Sequence, residues 1–284
     1  MPFVTLREVL ADAERGSYAV GAFNTNNMEI VQAIVEAAEE ERAPVILQAS
    51  QGALKYAGIR YITAIVAAAV ESSSIPVVLH LDHGTSFEQT MLCLKHGFTS
   101  VMFDGSKYSL DENIAATRKV VDVAHAMGFS VEGELGKIGG TEDDISVDER
   151  DALFTDPGEA ERFVRESGVD ALAVAIGTAH GTYKGEPKLD FNRLDTINKI
   201  VDIPIVLHGA SGVPADSVRR AIELGVRKIN IDTELRLAFT RGVQQVVQNN
   251  PGEYDPRKII GPAKEEMKAI IKGKMRLFGC SGKA

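Results

Sequence analysis

Short apolar runs and amphipathic stretches alternate along this chain almost from end to end. Runs dense in Val, Ile, Leu and Ala predict strands over 18–23, 44–50, 76–81, 99–104, 130–135, 170–176, 203–208 and 227–231. Most are continuously apolar rather than alternating, as expected of parallel strands buried on both faces. Between them, apolar positions recur at helical spacing over 27–42, 61–73, 111–127, 157–167 and 214–224. The punctuation agrees. Asp156-Pro157 reads as an N-cap followed by proline at the first helical position, and Met127-Gly128, Lys95-His96-Gly97 and Glu223-Leu224-Gly225 read as glycine stops.

Strand-then-helix units repeated in series favour an α/β fold of the (β/α)8 TIM-barrel type over a doubly wound sheet. No linker divides the chain, so residues 1–284 are read as a single barrel domain. The one long irregular stretch, 136–156, follows the fifth strand and is rich in Gly, Asp and Glu, a composition and position suited to an active-site cover. Residues 254–279 read as a proline-initiated turn and a basic helix, a C-terminal helical extension beyond the barrel and a candidate subunit contact. A homo-oligomer, dimer or tetramer, is expected.

In such barrels the chemistry sits at the C-terminal ends of the strands. Taken in order, those ends carry Asn24, Ser50, Asp82 with His83, Asp104, Glu134, His180, His208, and Asn230 with Asp232. Three apolar runs stop on a histidine followed by glycine: His80-Leu-Asp82-His83-Gly84, Thr178-Ala-His180-Gly181 and Leu207-His208-Gly209. Catalytic zinc commonly has three protein ligands and one open position, and imidazole is its commonest protein ligand. Any one of these histidines alone reads as a satisfied core residue; three together at strand ends point to a metal.

His96 and His125 fall on helical segments and read as surface residues. His80 shares strand parity with Asp82 and is expected one layer deeper, as a hydrogen-bonded core residue. Asp82 and His83 are adjacent, so strict alternation would aim them apart, and one must leave the strand for both to face one site. Asp82 then acts as an acid/base or orients a ligand histidine. Asp104 and Glu134 are either residues behind the ligands or an alternate metal position, with capping and salt bridging as the plain alternative.

Two turns suggest phosphate. Gly209-Ala210-Ser211-Gly212 follows the seventh strand and opens a helix, and Asn230-Ile231-Asp232-Thr233 follows the eighth. Exposed N–H groups at a helix start attract anions, and barrels often hold phosphate at these two positions. Gly181 and Lys184 supply a second anion site or merely a loop.

Composition narrows the partners. A formal net charge of −9 argues against nonspecific nucleic-acid binding, yet leaves room for a locally positive pocket that takes anionic metabolites. No apolar run approaches the ~20 residues of a membrane helix, and the N-terminus lacks a signal-peptide core. The two cysteines, Cys93 and Cys280, have no ligand spacing and are not expected to pair, so a reduced cytoplasmic setting is the default.

These motifs, together with Tyr18-Ala-Val-Gly-Ala-Phe-Asn24, Val131-Glu-Gly-Glu134-Leu-Gly136, Ile138-Gly-Gly-Thr-Glu142 and Asp255-Pro-Arg-Lys258, make the chain resemble the class II, zinc-dependent ketose-bisphosphate aldolases from end to end. The resemblance implies a lyase of carbohydrate metabolism and glycolysis, with Zn2+ on His83, His180 and His208 and Asp82 as proton carrier at the C4 oxygen. It implies Glu142 as a mobile base for the triose carbanion. It further implies Gly181, Gly209, Ala210, Ser211, Asn230, Ile231, Asp232 and Thr233 as dihydroxyacetone phosphate contacts, and a monovalent cation (Na+ or K+) near Gly181 and Ser211. Asn24, Ser50 and Lys184 complete the expected substrate contacts. Fructose 1,6-bisphosphate is the favoured substrate, with its C4 epimer tagatose 1,6-bisphosphate as the alternative. Rival readings are a Schiff-base aldolase using Lys228, a metal-dependent hydrolase and a noncatalytic subunit.

Overall fold

The computed structural model describes residues 3–71, 73–142, 145–148, 152–183 and 185–284. The first half of the chain runs α1 (Leu6–Gly16), β1 (Val20–Asn24), α2 (Met28–Glu41), β2 (Val45–Ser50), α3 (Gln51–Ala57), α4 (Ile59–Val70), β3 (Val77–Gly84), α5 (Phe87–Lys95), β4 (Ser100–Phe103), α6 (Leu110–Ala126) and β5 (Ser130–Leu135). It continues with β6 (Gly139–Glu142), β7 (Ile145–Val147), α7 (Pro157–Ser167), β8 (Ala171–Val174), β9 (Ala179–His180), α8 (Phe191–Ile200), β10 (Ile205–Leu207), α9 (Ala215–Glu223), β11 (Val226–Ile231), α10 (Thr233–Asn249) and α11 (Pro256–Phe278).

β1, β2, β3, β4, β5, β8, β10 and β11 pair in that order, all parallel, and β11 closes back on β1. This is the expected TIM barrel, and its strands are buried along their whole length. The helices begin where their caps direct. Thr5 and Ser109 form capping boxes with Glu8 and Glu112, and Asp156 accepts from the Glu159 amide ahead of Pro157.

The structure adds to the expected elements in two places. The long stretch after β5 is not merely irregular: β6 and β7 form an antiparallel hairpin, and β9 joins β6 in parallel to make a three-stranded sheet outside the barrel. Neither apolar periodicity nor length announces strands this short.

The other concerns the tail. α11 does not project from the barrel but lies along it, burying Ala263, Met267, Ile271, Met275 and Phe278 in contacts made mainly with α10 and α2. Lys264, Lys268, Lys272 and Arg276 recur every fourth residue and meet Glu36, Glu40 and Glu41 of α2. The basic face seen in the sequence is thus matched to an acidic face of the same chain.

α10 and α11 approach closely at Gly242, where an added Cβ would stand 2.5 Å from the Ala263 Cα. Both contacting groups are backbone, so neither can rotate away. Gly242→Ala is therefore expected to cost about 1–3 kcal/mol, measured as a lowered denaturation midpoint; an unchanged midpoint would contradict the close helix contact.

Candidate metal centre and active site

The adjacency of Asp82 and His83 is resolved by the backbone. His83 adopts the left-handed conformation, with φ of 49°, one of three non-glycine residues to do so among those described. The β3–β4 register shifts here: Leu81 faces Val101 and Gly84 faces Phe103, so Asp82 and His83 together oppose one β4 residue. Such a bulge re-aims a side chain at the cost of local pairing, and a left-handed non-glycine costs about 1–3 kcal/mol. The Gln51 side chain clamps the turn by donating to the His83 carbonyl at 2.7 Å.

His180 reaches the site by another route. The sequence reading placed it at the end of a barrel strand, but β8 stops at Val174 and His180 lies on β9, in the outer sheet. There Gly140 pairs with it at φ of 96°, and a Cβ at Gly140 would fall 2.2 Å from the His180 carbonyl oxygen. Only glycine permits that approach. Tyr183 then ties this segment to the next histidine: its hydroxyl accepts from the Ala179 amide at 2.8 Å and donates to the Gly209 carbonyl at 2.7 Å. His208 follows β10 directly and is fully buried.

One nitrogen from each of His83, His180 and His208 lies within 4.8 Å of the others, and the rings meet edge to face at centroid distances of 4.8–6.0 Å. His83 Nδ1 bonds Asp104 Oδ2 at 3.0 Å, and His208 Nε2 bonds Glu132 Oε1 at 3.0 Å. Carboxylates behind both rings are the usual partners of metal-binding imidazoles. Two buried atoms face each other here without a formed hydrogen bond, His208 Nδ1 and Glu134 Oε2, 3.3 Å apart. A cation would satisfy both, so the residues present fit a metal. Asp104 and Glu134 also form a second candidate group with His83, and Asp104 additionally accepts from the Ser106 amide two residues on, a local turn bond, while Ser109 caps the helix that follows.

Asp82 is fully buried and held by three side-chain amides: Asn24 at 2.8 Å and Gln48 at 3.1 Å on Oδ2, Asn230 at 3.2 Å on Oδ1. Sequence reasoning missed Gln48, although it stands opposite both Asn24 and His80 in the register. Ser50, opposite Asp82, caps α3. His80 is a core residue as expected, bonded to Ser100 at 2.8 Å.

A cavity of about 290 Å³ opens beside the histidines. Of the expected substrate contacts, Gly181, Gly209, Ser211, Asn230, Asp232 and Thr233 line it. Ala210 and Ile231 are buried behind it and do not. Thr141, Thr182 and Arg236 line it as well and were missed, lying on the hairpin strand β6, in a loop and in the first turns of α10 rather than at barrel strand ends. The N-terminus of α10 faces this cavity through Thr233; its N-cap, Asp232, makes no side-chain cap bond and instead pairs with Arg236 at 2.8 Å. The start of a 17-residue helix, where the Glu234 amide donates to Ser211 Oγ at 3.4 Å and a guanidinium stands alongside, favours an anion. Lys184 and the Glu142 side chain lie outside the described residues.

Lys228 points inward but is taken up by an ion pair with Glu132 at 2.8 Å, fully buried below the histidines. It does not present a free amine to the cavity, which removes the ground for a Schiff base.

The chain matches the family model described as fructose-bisphosphate aldolase class-II over residues 4–283. It is 50% identical to a fructose-bisphosphate aldolase of Geobacillus stearothermophilus over 287 aligned positions, covering all of this chain and 99% of that protein. It is 49% identical to one of Thermus caldophilus, covering 99% of each. Among solved structures, the YdjI aldolase of Escherichia coli K12 superposes with a TM-score of 0.87 at 33% identity, each chain covered completely.

In the metal-free protein, burial pushes the His208 imidazolium down, but Glu132 and Glu134 outweigh it and raise the group to about 9; Asp82, Asp104 and Glu134 likewise raise His83. A pKa raised on folding gives stability that is complete below the unfolded value, about 6.5, and is lost as pH rises through the folded one. Chelator-treated protein is therefore expected to lose thermal stability between about pH 6.5 and 9, and metal-loaded protein to lose less, since the cation takes the proton's place. Thermal scans across that window check this; a chelated protein that gains stability would contradict it.

Proposed function

The chain belongs to the class II fructose-bisphosphate aldolases, a family of lyases, and we propose that it cleaves fructose 1,6-bisphosphate to dihydroxyacetone phosphate and glyceraldehyde 3-phosphate, and joins them in reverse. The observation that carries this is the placement of three convergent histidines next to a buried, amide-held carboxylate and an anion-favouring cavity. The ion is Zn2+, for which three imidazoles are a fitting donor set, with His83, His180 and His208 as its ligands. Bound there, it supplies Lewis-acid stabilisation of the negative charge that cleavage leaves on the ketone half.

The protein's own groups do the rest. Asp82 accepts the C4 hydroxyl proton as the C3–C4 bond breaks, and returns it in synthesis. Its three amide partners hold the carboxylate in one orientation, so no reorganisation is needed when the proton moves. The ketone's phosphate sits at the start of α10 with Gly209, Ser211 and Thr233, and Arg236 adds a cation that the sequence reading did not include. Na+ or K+ near Gly181 and Ser211 would offset the phosphate charge, and Glu142 serves the carbanion carbon from the hairpin.

Fructose over tagatose bisphosphate is supported by relatives at 46–50% identity that bear the fructose name. We take the whole span as one domain that works in the cytoplasm, consistent with two buried free cysteines. We take it also as a homo-oligomer, for which Tyr56 and Tyr61, both largely exposed, offer apolar surface. Among the described residues no single helix is long and apolar enough to cross a membrane.

A coupled assay with both epimers tests this. Fructose 1,6-bisphosphate is expected to be cleaved faster, with activity lost to a chelator and restored by zinc. Asp82→Asn is expected to lower kcat about 10²–10⁴-fold while metal content stays at one ion per site. Undiminished cleavage in chelator, or full activity in Asp82→Asn, would overturn the reading.

A further inference from the structure

Beneath the three histidines lies a second polar layer that does not reach the cavity. Glu132, from β5, is fully buried. Its Oε1 is 3.0 Å from His208 Nε2, and its Oε2 accepts from Lys228 Nζ at 2.8 Å. His80 Nε2 stands 3.5 Å from the same Oε2. Glu132 and Glu134 are two residues apart on β5 and therefore share a face, so one strand sets a carboxylate against each nitrogen of the His208 ring, at 3.0 Å and 3.3 Å.

That arrangement makes the ring's tautomer a choice between two acceptors. A neutral imidazole has one N–H, and only the other nitrogen can ligate. Donating to Glu132 frees Nδ1, whereas donating to Glu134 would place the proton on the nitrogen that faces the other histidines. Only the Glu132 contact is a formed hydrogen bond. Glu132 is also the carboxylate of the two that holds an ammonium, and a buried carboxylate needs such a partner.

We propose that Glu132 and Lys228 are positioning residues of the metal centre: Glu132 takes the Nε2–H of His208, so that the Nδ1 lone pair faces the ion, and Lys228 holds Glu132 in place. The inference rests on His208 being a metal ligand.

The test replaces both charges at once, Glu132→Leu with Lys228→Met, because removing one alone strands the other in the interior. Zinc affinity is read by competition with a chelator, and ligand geometry by the visible spectrum of the cobalt-substituted protein. The double variant is expected to bind zinc about 10–100-fold more weakly and to show an altered cobalt spectrum. In a His208→Ala background the same pair should cause no further loss, because the effect passes through His208.

Histidine 15N spectra of the zinc-loaded wild type give a readout that does not depend on the variant folding. The proton of His208 is expected on Nε2. A proton on Nδ1, a folded double variant with wild-type affinity, or an equal loss of affinity in the His208→Ala background would each overturn the positioning role. Wild-type protein that binds no zinc at all would overturn the metal reading and this inference with it. Normal wild-type binding combined with any of the three results above would overturn the inference alone.

Discussion

Four carboxylates, Asp82, Asp104, Glu132 and Glu134, are enclosed at one end of the barrel with almost no access to water. Water cannot screen them there, so each must find a cation or a set of donors within the protein. Lys228 answers Glu132, and three amides answer Asp82. Asp104 and Glu134 are left to His83 and His208, whose imidazoliums are raised well above their ordinary range when no metal is present. The site is thus built with a deficit of positive charge that either protons or a divalent ion makes up. Metal binding and proton release are two sides of that one constraint.

The same constraint accounts for features that would otherwise be liabilities. A left-handed backbone at His83 is strained, but it lets neighbours in sequence face one site, the proposed acid/base and a proposed ligand side by side. A glycine at 140 forgoes side-chain packing, but it lets the outer hairpin press against the His180 backbone. The barrel gives rigid ends for Asp82 and His208, while the third histidine comes from a segment outside it. The outer sheet that carries His180 also carries the backbone of Glu142, so proposed ligand and proposed base are joined by the β6–β9 pairing.

Much of this was legible in the residues. Buried parallel strands announce themselves as continuous apolar runs, and all eight barrel strands fall within the stretches read from the sequence or within a few residues of them. The three histidines, Asp82, and the turns after the last two strands stand out because polar residues closing apolar runs are otherwise hard to explain. What escaped notice did so for physical reasons. Gln48 and Glu132 lie inside apolar strands, where a polar residue signals function only once its facing partner is known, and Lys228 was read as a rival amine because its partner Glu132 was not visible in the sequence. The hairpin strands β6 and β7, at four and three residues, are too short to display a period. His180 is followed by glycine like the other two, but the turn between Val174 and Ala179 that takes it off the barrel leaves no pattern of its own. Arg236 sits one helical turn into α10 and reaches the cavity only because the helix starts there.

The central claim is that three imidazoles, delivered by a bulged strand, an outer sheet and a strand end, hold one divalent ion beside Asp82. Anomalous diffraction at the zinc absorption edge, from crystals of metal-loaded protein, locates that ion directly. The account predicts a single strong peak bounded by His83, His180 and His208, with His208 engaged through Nδ1. A peak seated between Asp104 and Glu134 with His180 and His208 unengaged, or zinc bound only elsewhere, would contradict it.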